Sequence, residues 1–450
     1  TDSDNEQESS ETSDATIEVD DPLYSSQTNI TSTNIDDVWE QYTTGDGSQV
    51  IAILDTGGDY THPDLEANTW INTEELNGVE GYDDDGNGYI DDFRGWDFIN
   101  IDNAPLDDNM HGTHVAGIAG AVGNNGIGIA GAAWNVKLMH LKVFQSTGIG
   151  NLVTIADGVE YASSNGATII NMSFGGYSES YTFKLALENA YATTSLVAAA
   201  GNNYKGIGPD CMPCAPFYPA AYSYIIAAMD WPYPPFGYTN YDHDGVRRTM
   251  YQNLLNYEIH SPGTNIISTV PNGGYATLTG TSMGAPLLSG AIALYKEVLT
   301  ENSNELMMGS LIHTMQEEGE PWFDIHSAIN TIPSPELDIV NHYSRDEIDN
   351  GNGFWEPGET IEILPMVKNF WGPSEDVRVG IEFAEFEDTS KATIVSNEAQ
   401  YGSMTAYSYL QDLENTLKIT IADGVNNNVD IKFVVKVWSG PDQEYMSEEY

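Results

Sequence analysis

The sequence predicts an α/β fold with a parallel sheet covered by helices on both faces, followed by a smaller antiparallel β-sandwich. From Pro22 to Ile332, short apolar runs such as VIAILDTG alternate with helical patterns such as NLVTIADGVEYASSNG. Strands that alternate with helices are typical of a parallel sheet. Beyond residue 335, TIEILPMVKNF, DVRVGIEFAEF and IKFVVKVW follow one another as strands, which favours a sandwich.

Changes in composition predict three regions. Residues 1–21 are polar and acidic without Lys or Arg, so we expect a disordered tail. Residues 22–332 form the α/β domain, and the prolines of IPSPELDI mark its end. Residues 336–450 form the sandwich. A chain of 450 residues also exceeds the usual size of a single core.

The charge is strongly negative, with 15 basic against 68 acidic residues and a net charge of −53. Such a field opposes nucleic acid and anionic lipid and favours cations. The acidic surface also suits a salty environment, so we expect a halotolerant protein. No apolar run reaches membrane length, and we expect a processed, soluble monomer without membrane insertion. The two cysteines, Cys211 and Cys214, favour a local disulfide over a redox pair.

Three polar residues stand where functional side chains collect. Asp55 ends the strand VIAILD, His111 opens the small-residue helix HGTHVAGIAG, and Ser282 in LTGTSMGAP precedes a long apolar helix. Each has an ordinary structural explanation, such as a turn residue, a packed histidine or a helix N-cap. Together they supply the orienting acid, base and nucleophile of an acyl-transfer enzyme.

The segments ILDTGGDYTHPDL, HGTHVAGIAG and LTGTSMGAP resemble the Asp, His and Ser signatures of subtilisin-like serine peptidases, the subtilases, over roughly Pro22 to Ile332. The resemblance implies a three-layer α/β/α fold and a secreted serine endopeptidase that acts on proteins or peptides. It implies that Asp55 orients the imidazole, that His111 is the general base and then acid, and that Ser282 attacks the scissile carbonyl.

The same resemblance assigns the rest of the active site. Asn202 in VAAAGNN would donate to the oxyanion beside the backbone N–H of Ser282. The cleft residues that it implies are Ser173, Phe174 and Gly175 on one edge, Gly148 and Gly150 on the other, and Ala199, Ala200 and Gly201 in the main specificity pocket. Small residues in the pocket predict room for a bulky substrate side chain, unless a loop narrows it.

The segment GYDDDGNGYIDD predicts a calcium site. Its alternating oxygen donors follow the first nine positions of an EF-hand loop, namely Asp83, Asp85, Asn87, the Tyr89 carbonyl and Asp91. The twelfth position is Arg94 rather than Glu. Asp92 or a distant carboxylate must therefore complete the site. The alternative is a solvated acidic surface.

Further calcium ligands come from resemblance alone. A strong site is implied for Asp64, Asn125 and the carbonyls of Ile127 and Ile129, with Asp21 as an additional ligand, and another for Asp97 and Asp102. All of these could instead be turn residues. In the sandwich, RDEIDNGNGFWEPGE offers Asp349, Asn352 and Glu359 as weaker candidates. No organic cofactor is expected.

Two other functions stay open at this point. A peptidyl transferase or ligase would use the same three residues, because it shares the acyl-enzyme. A catalytically silent scaffold would instead bind partners through its sandwich, although it would not need all of Asp55, His111, Ser282 and Asn202.

Overall fold

The computed structural model describes residues 17–207, 216–231, 238–242, 259–300, 303–317, 322–346, 355–426, 429–440 and 445–449. The predicted sites at Cys211, Cys214, Asp349 and Asn352 lie outside these ranges. Among the described residues, no helix combines the length and the apolar character that crossing a membrane requires.

The helices are Thr28–Thr31 (α1), Ile35–Gln41 (α2), Thr73–Leu76 (α3), His111–Gly120 (α4), Leu152–Ser164 (α5), Tyr181–Tyr191 (α6), Thr281–Val298 (α7), Asn304–Glu317 (α8) and Ile325–Asn330 (α9), with 3₁₀ turns at Tyr24–Ser26 and Glu66–Asn68. The strands of the first domain are Val50–Asp55 (β1), Gly95–Asp97 (β2), Lys137–Lys142 (β3), Ile169–Met172 (β4), Ser195–Ala199 (β5), Gly206–Ile207 (β6), Ile226–Met229 (β7), Tyr241–Asp242 (β8), Ile259–His260 (β9), Ile266–Val270 (β10) and Gly274–Leu278 (β11).

Seven of these strands form a parallel sheet in the order β2-β3-β1-β4-β5-β7-β9. One face packs against α4 and α7 and the other against α5 and α6, so that two apolar cores flank the sheet. Burial on both faces explains why the strand sequences are nearly continuous apolar runs. The predicted three-layer α/β/α architecture is confirmed.

The parallel register places the carboxyl ends of neighbouring strands side by side. Asp55 at the end of β1 pairs with Lys142 at the end of β3, and β4 ends beside them at Met172. The polar segments that follow these strands therefore meet at one edge of the sheet, which is where ligand sites form in such folds.

The C-terminal region consists of antiparallel strands, as predicted. They are Leu337–Asp346 (β12), Thr360–Asn369 (β13), Ser374–Phe383 (β14), Ala392–Ser396 (β15), Glu398–Met404 (β16), Ser408–Leu410 (β17), Leu417–Ile421 (β18), Phe433–Ser439 (β19) and Tyr445–Glu449 (β20). One sheet has the order β12-β13-β18-β15 and the other β16-β14-β19-β20. Residues of both sheets, including Val367 and Val379, share one apolar core.

The two regions contact each other through α8. The Trp371 indole donates to the Ser310 hydroxyl at 3.2 Å, and the His313 ring stacks on Trp371 with centroids 3.7 Å apart. Phe370 and Tyr407 of the β region belong to the same apolar core as α7 and α8. The β region therefore covers part of the first domain.

The beginning of the described chain departs from the predicted disordered tail. Residues 17–21 are placed against the first domain, and Asp21 is buried. Its carboxylate accepts hydrogen bonds from the backbone N–H groups of Asn124 at 2.7 Å and Asn125 at 3.2 Å. Burial of a charged group requires such partners. Composition alone could not reveal them, because they lie about a hundred residues away.

Candidate active site

Asp55 and His111 are brought together although 55 residues separate them in the chain. The Nδ1 atom of His111 lies 2.8 Å from Asp55 Oδ1 and 3.0 Å from Oδ2. Asp55 is buried at the end of β1, whereas His111 at the first position of α4 is partly exposed. This contact fixes the ring and leaves its Nε2 atom available on the opposite side.

A carboxylate that the sequence analysis missed, Asp107, holds the start of α4. Its oxygens accept hydrogen bonds from the Thr56 hydroxyl, from the backbone N–H groups of Asn109 and Met110, and from both the N–H and the hydroxyl of Thr113. Burial raises the pKa of Asp107, but the hydrogen bonds from Met110 and Thr113 outweigh burial, so the net shift is downward. Asp107 therefore remains ionised and satisfies donors at the helix N-terminus.

The electrostatics around His111 favour its charged form. Burial lowers the pKa of His111, but the charge of Asp55, the hydrogen bond to Asp55 and the charge of Asp107 together raise it above the ordinary value of 6.5. The ring can therefore hold a proton that it receives from a neighbouring group.

Lys142, at the end of β3, has a buried side chain. The ammonium donates to the carbonyls of Thr56 at 2.7 Å and Phe144 at 3.0 Å and pairs with Asp108 at 2.6 Å. It thereby ties the segment after β1 to the segment after β3. A lysine at the end of an apolar strand was the only sequence signal for this role.

Ser282 lies at the N-terminus of α7 and is bound to the segment after β4. Its hydroxyl donates to the Ser173 carbonyl at 2.9 Å, and the Ser173 hydroxyl donates to the Ser282 carbonyl at 2.9 Å. Among the described residues, the structure gives Ser282 no hydrogen bond to the ring of His111. The Ser282 hydroxyl is therefore oriented toward Ser173.

A buried chain of hydrogen bonds supports Ser173 from below. The Ser289 hydroxyl donates to Asn171 Oδ1 at 3.0 Å, and Asn171 Nδ2 donates to the Ser173 hydroxyl at 3.0 Å. Asn171 and Ser289 have no solvent exposure. The chain connects the middle of α7 with its first turn through β4, and the sequence analysis did not identify it.

Asn202 lies beside the start of α7. Its Oδ1 atom accepts hydrogen bonds from the backbone N–H and the hydroxyl of Thr281, both at 2.9 Å. The Thr281 hydroxyl in turn accepts from the Gly201 N–H at 3.0 Å. Oδ1 of Asn202 is therefore held by the residue that precedes Ser282, and the exposed side chain has its Nδ2 atom next to Gly280.

A groove of about 250 Å³ runs past His111. Of the predicted cleft residues, Gly148, Ser173 and Phe174 line it, together with Phe144. The rings of Phe144 and Phe174 meet edge to face at 4.8 Å. Gly150 instead packs against the Phe144 ring.

The residues predicted for the specificity pocket lie in different surroundings. The methyl groups of Ala199 and Ala200 are buried and belong to the cores on opposite faces of the sheet. Gly175 and Gly201 both lie against the ring of Phe217. The space that small residues were expected to leave is therefore occupied in part by an aromatic ring.

The acidic loop converges on a carboxylate from α3. The oxygens of Glu75, Asp85 and Asp92 lie within 4.8 Å of one another, and Glu75 and Asp92 are buried. Burial raises the pKa of Asp92 despite its hydrogen bonds from Tyr161, Asn87 and Asn72. Three carboxylates this close fit a divalent cation bound by oxygen. Glu75 was missed because it lies outside the loop motif.

The remaining loop residues have mixed roles. Asp83 accepts three backbone N–H bonds within the loop, from Gly86, Asn87 and Gly88, and therefore shapes the turn. Asp91 accepts from the Gly81 N–H at 2.8 Å. Tyr89 places its ring against Trp96 and Tyr161, which anchors the loop on the domain.

Several residues of the second predicted calcium site also lie together. Asp64 is completely buried, and its carboxylate accepts from Asn125 Nδ2 at 2.9 Å and from the Ile129 N–H at 3.0 Å. Asp21 binds the backbone of Asn125 on the other side. Ile127 is exposed beside them.

The structure gives turn roles to three other candidates. Asp97 accepts from the N–H groups of Ile99 and Asn100, both at 2.8 Å, and Asp102 accepts from the Ala104 N–H at 3.0 Å. In the β region, Glu359 accepts from the N–H of Glu356 at 2.8 Å. These contacts agree with the alternative that such residues stabilise turns.

Comparisons with known proteins identify the family to which this chain belongs. A family model described as the subtilase family matches residues 46–333. Subtilisin-like protease 1 of Plasmodium falciparum (isolate 3D7) is 32% identical over 319 residues, which cover 65% of this chain and 44% of the relative. The chain thus spans less than half the length of that relative.

Two bacterial relatives show a similar likeness. Thermophilic serine proteinase of Bacillus sp. (strain AK1) is 36% identical over 266 residues, or 58% of this chain and 55% of the relative. Thermitase of Thermoactinomyces vulgaris is 34% identical over 250 residues, or 56% of this chain and 75% of the relative. With the family model matching well over half of its length, this chain belongs to the subtilase family.

Proposed function

We propose that this protein is a secreted, calcium-stabilised serine endopeptidase in which Asp55, His111 and Ser282 form the catalytic triad. The observation that carries the proposal is the contact of His111 Nδ1 with both oxygens of Asp55. A buried carboxylate that fixes one ring nitrogen leaves the other to act as a base. The groove beside the ring and the position of Ser282 at the start of α7 support the same function.

The reaction proceeds through an acyl-enzyme. His111 Nε2 removes the proton of the Ser282 hydroxyl while the oxygen attacks the scissile carbonyl. Substrate binding turns this hydroxyl from the Ser173 carbonyl toward the ring, since catalytic hydrogen bonds often form only in the complex. His111 then protonates the leaving amine, which breaks the peptide bond. Water, deprotonated by the same ring, hydrolyses the ester and restores Ser282.

Negative charge on the tetrahedral oxygen requires donors that are already in place. Asn202 Nδ2 supplies one, because Thr281 holds the other atom of the amide. The backbone N–H of Ser282 supplies the second, since N–H groups in the first turn of a helix have no intrahelical acceptor.

Calcium has a structural role in this proposal. Glu75, Asp85 and Asp92 would hold one ion, with Asp83, Asn87 and Asp91 shaping its loop. Asp64 and Asn125, with Asp21 nearby, would hold another. A bound cation would offset the mutual repulsion of the clustered carboxylates and link the loop to α3.

The activity can be tested with the purified chain. We expect a fluorophosphonate probe to label Ser282 and casein to be cleaved with release of new amino termini. The Ser282→Ala variant should lose both while keeping its melting temperature, apart from the residual catalysis that substrate binding and the oxyanion donors sustain. Labelling without cleavage would favour a peptidyl transferase or ligase, and the absence of labelling would favour a binding scaffold.

Location and salt tolerance need separate measurements. Activity in the culture medium rather than in the cell fraction would support secretion. The charge of −53 supports solubility at high salt, and activity on a neutral peptide should therefore persist there. A monomeric mass in size-exclusion chromatography would support the expected monomer.

A further inference from the structure

The ring of Phe217 lies between Gly175, on one predicted edge of the cleft, and Gly201, in the predicted specificity pocket, and the segments of these two glycines form the walls around it. A Cβ atom at Gly175 would lie 2.3 Å from Cε1 and 2.7 Å from Cδ1 of Phe217. A Cβ atom at Gly201 would lie 3.0 Å from the same two ring atoms. One edge of the ring therefore touches the backbone of both walls.

The position of this ring is fixed by its backbone. The neighbouring residue Tyr218 forms a two-bond antiparallel bridge with Gly176, with N···O distances of 2.9 and 2.8 Å. This bridge holds the backbone beside Phe217 against the segment after β4, so the ring starts from a fixed position next to Gly175.

A second aromatic residue braces the ring from the side. Tyr177 meets Phe217 at a centroid distance of 5.1 Å and an angle of 66°. The Tyr177 hydroxyl donates to Asn203 Oδ1 at 3.0 Å and accepts from Asn240 Nδ2 at 3.2 Å. The Lys205 ammonium lies 3.8 Å from the Tyr177 ring centroid. These contacts hold Tyr177, and through it they hold Phe217.

We propose that Phe217 is a specificity-determining residue that fills the pocket between Gly175 and Gly201 and restricts the enzyme to substrates with a small side chain, such as Ala, Ser or Gly, before the scissile bond. A bulky side chain would need the same volume as the ring, and close-packed protein interiors do not accommodate both. The inference rests on the proposed peptidase activity, whose triad it takes as given.

The experiment compares two peptide anilides that differ only in Ala or Phe at the residue before the scissile bond. We expect the protein to favour Ala by about 100-fold in kcat/KM, within the range by which pockets discriminate on side-chain size. In Phe217→Ala, kcat/KM for the Phe substrate should rise at least about 10-fold, while that for the Ala substrate changes little. The Tyr181→Ala variant, which removes an exposed aromatic residue, should leave both values unchanged.

Two results would overturn the inference. One is an unmodified protein that cleaves the Phe substrate as well as the Ala substrate, and the other is a folded Phe217→Ala variant with an unchanged preference. If Phe217→Ala does not fold, Phe217→Leu and the sites at which the unmodified protein cuts casein decide the question. A protein that cleaves no peptide and binds no fluorophosphonate would instead contradict the proposed function.

Discussion

Removal of the Asn202 side chain should reduce turnover while leaving the fold nearly intact. Both hydrogen bonds that Asn202 makes to Thr281 use its Oδ1 atom, and within the described part of the chain its Nδ2 atom has no acceptor, so we expect this donor to bind the developing oxyanion. Loss of one such donor lowers kcat by about 10²–10³-fold, or about 2.7–4 kcal/mol, as known for a subtilisin. We therefore expect this fall in kcat for Asn202→Ala, with a small change in KM.

The cost in stability can be worked out from the same contacts. Asn202→Ala removes the acceptor of the Thr281 N–H, which costs about 1 kcal/mol. The Thr281 hydroxyl stays anchored because it also accepts from the Gly201 N–H. The measurements are kcat and KM on a peptide anilide, together with the free energy of unfolding in denaturant.

A matched variant separates the two effects. In Asn202→Asp the carboxylate can accept both hydrogen bonds from Thr281, so the stability should stay near that of the unmodified protein. The donor is lost, however, and a negative charge is added beside the oxyanion, so kcat should fall at least as far as in Asn202→Ala. An Ala variant with kcat within about fivefold of the unmodified value would refute the role assigned to Asn202.

The other predictions concern pH, calcium and the support of the nucleophile. Because the pKa of His111 is raised above 6.5, its neutral base form is lost as pH falls through that raised value, and kcat/KM should decline there. Asp107→Asn removes a charge that raises this pKa, so the acid limb of the pH profile should move to lower pH, and a move to higher pH would contradict the assignment. Chelation of calcium with EGTA should lower the melting temperature, since a ligand at 100 times its Kd stabilises the native state by about 2.7 kcal/mol. In Glu75→Gln, EGTA should lower the melting temperature by less. Glu74→Gln, at the exposed neighbouring position, should respond to EGTA as the unmodified protein does. Asn171→Leu removes two hydrogen bonds and should lower the free energy of unfolding by about 2 kcal/mol. It should also lower kcat about 10-fold with KM nearly unchanged, because misplacement of a reacting group slows chemistry. An unchanged kcat in a folded variant would show that the buried chain of hydrogen bonds does not position Ser173.

The fold could be predicted because its signals are local. The segment VIAILD is apolar along its whole length since β1 lies between two helical layers. Asp55, His111 and Ser282 each stand where a strand ends or a helix begins, and parallel topology then brings such ends to one edge of the sheet. The motif spacing and the chain topology thus agree with each other.

Residues that support the site from a distance in the chain could not be found in the same way. Glu75 lies in α3, six residues before the acidic motif begins, and nothing in its own neighbourhood marks it as a ligand. Asp107 resembles any acidic turn residue until its five hydrogen bonds are seen. Asp21 was assigned to a tail for the same reason, because burial by a distant loop leaves no local pattern.

The predicted specificity pocket shows why small residues in a sequence do not by themselves predict an open pocket. Gly175 and Gly201 lack Cβ atoms, and the small size of residues 199–201 was interpreted as room for a substrate. The same absence permits Phe217 to approach both backbones, since a Cβ atom at Gly175 would lie 2.3 Å from the ring. A glycine specifies that volume is available, but only the packing of another segment decides whether substrate or protein fills it. In this chain the ring of Phe217 lies next to both glycines, and for this reason the proposed preference is for small rather than bulky substrate side chains.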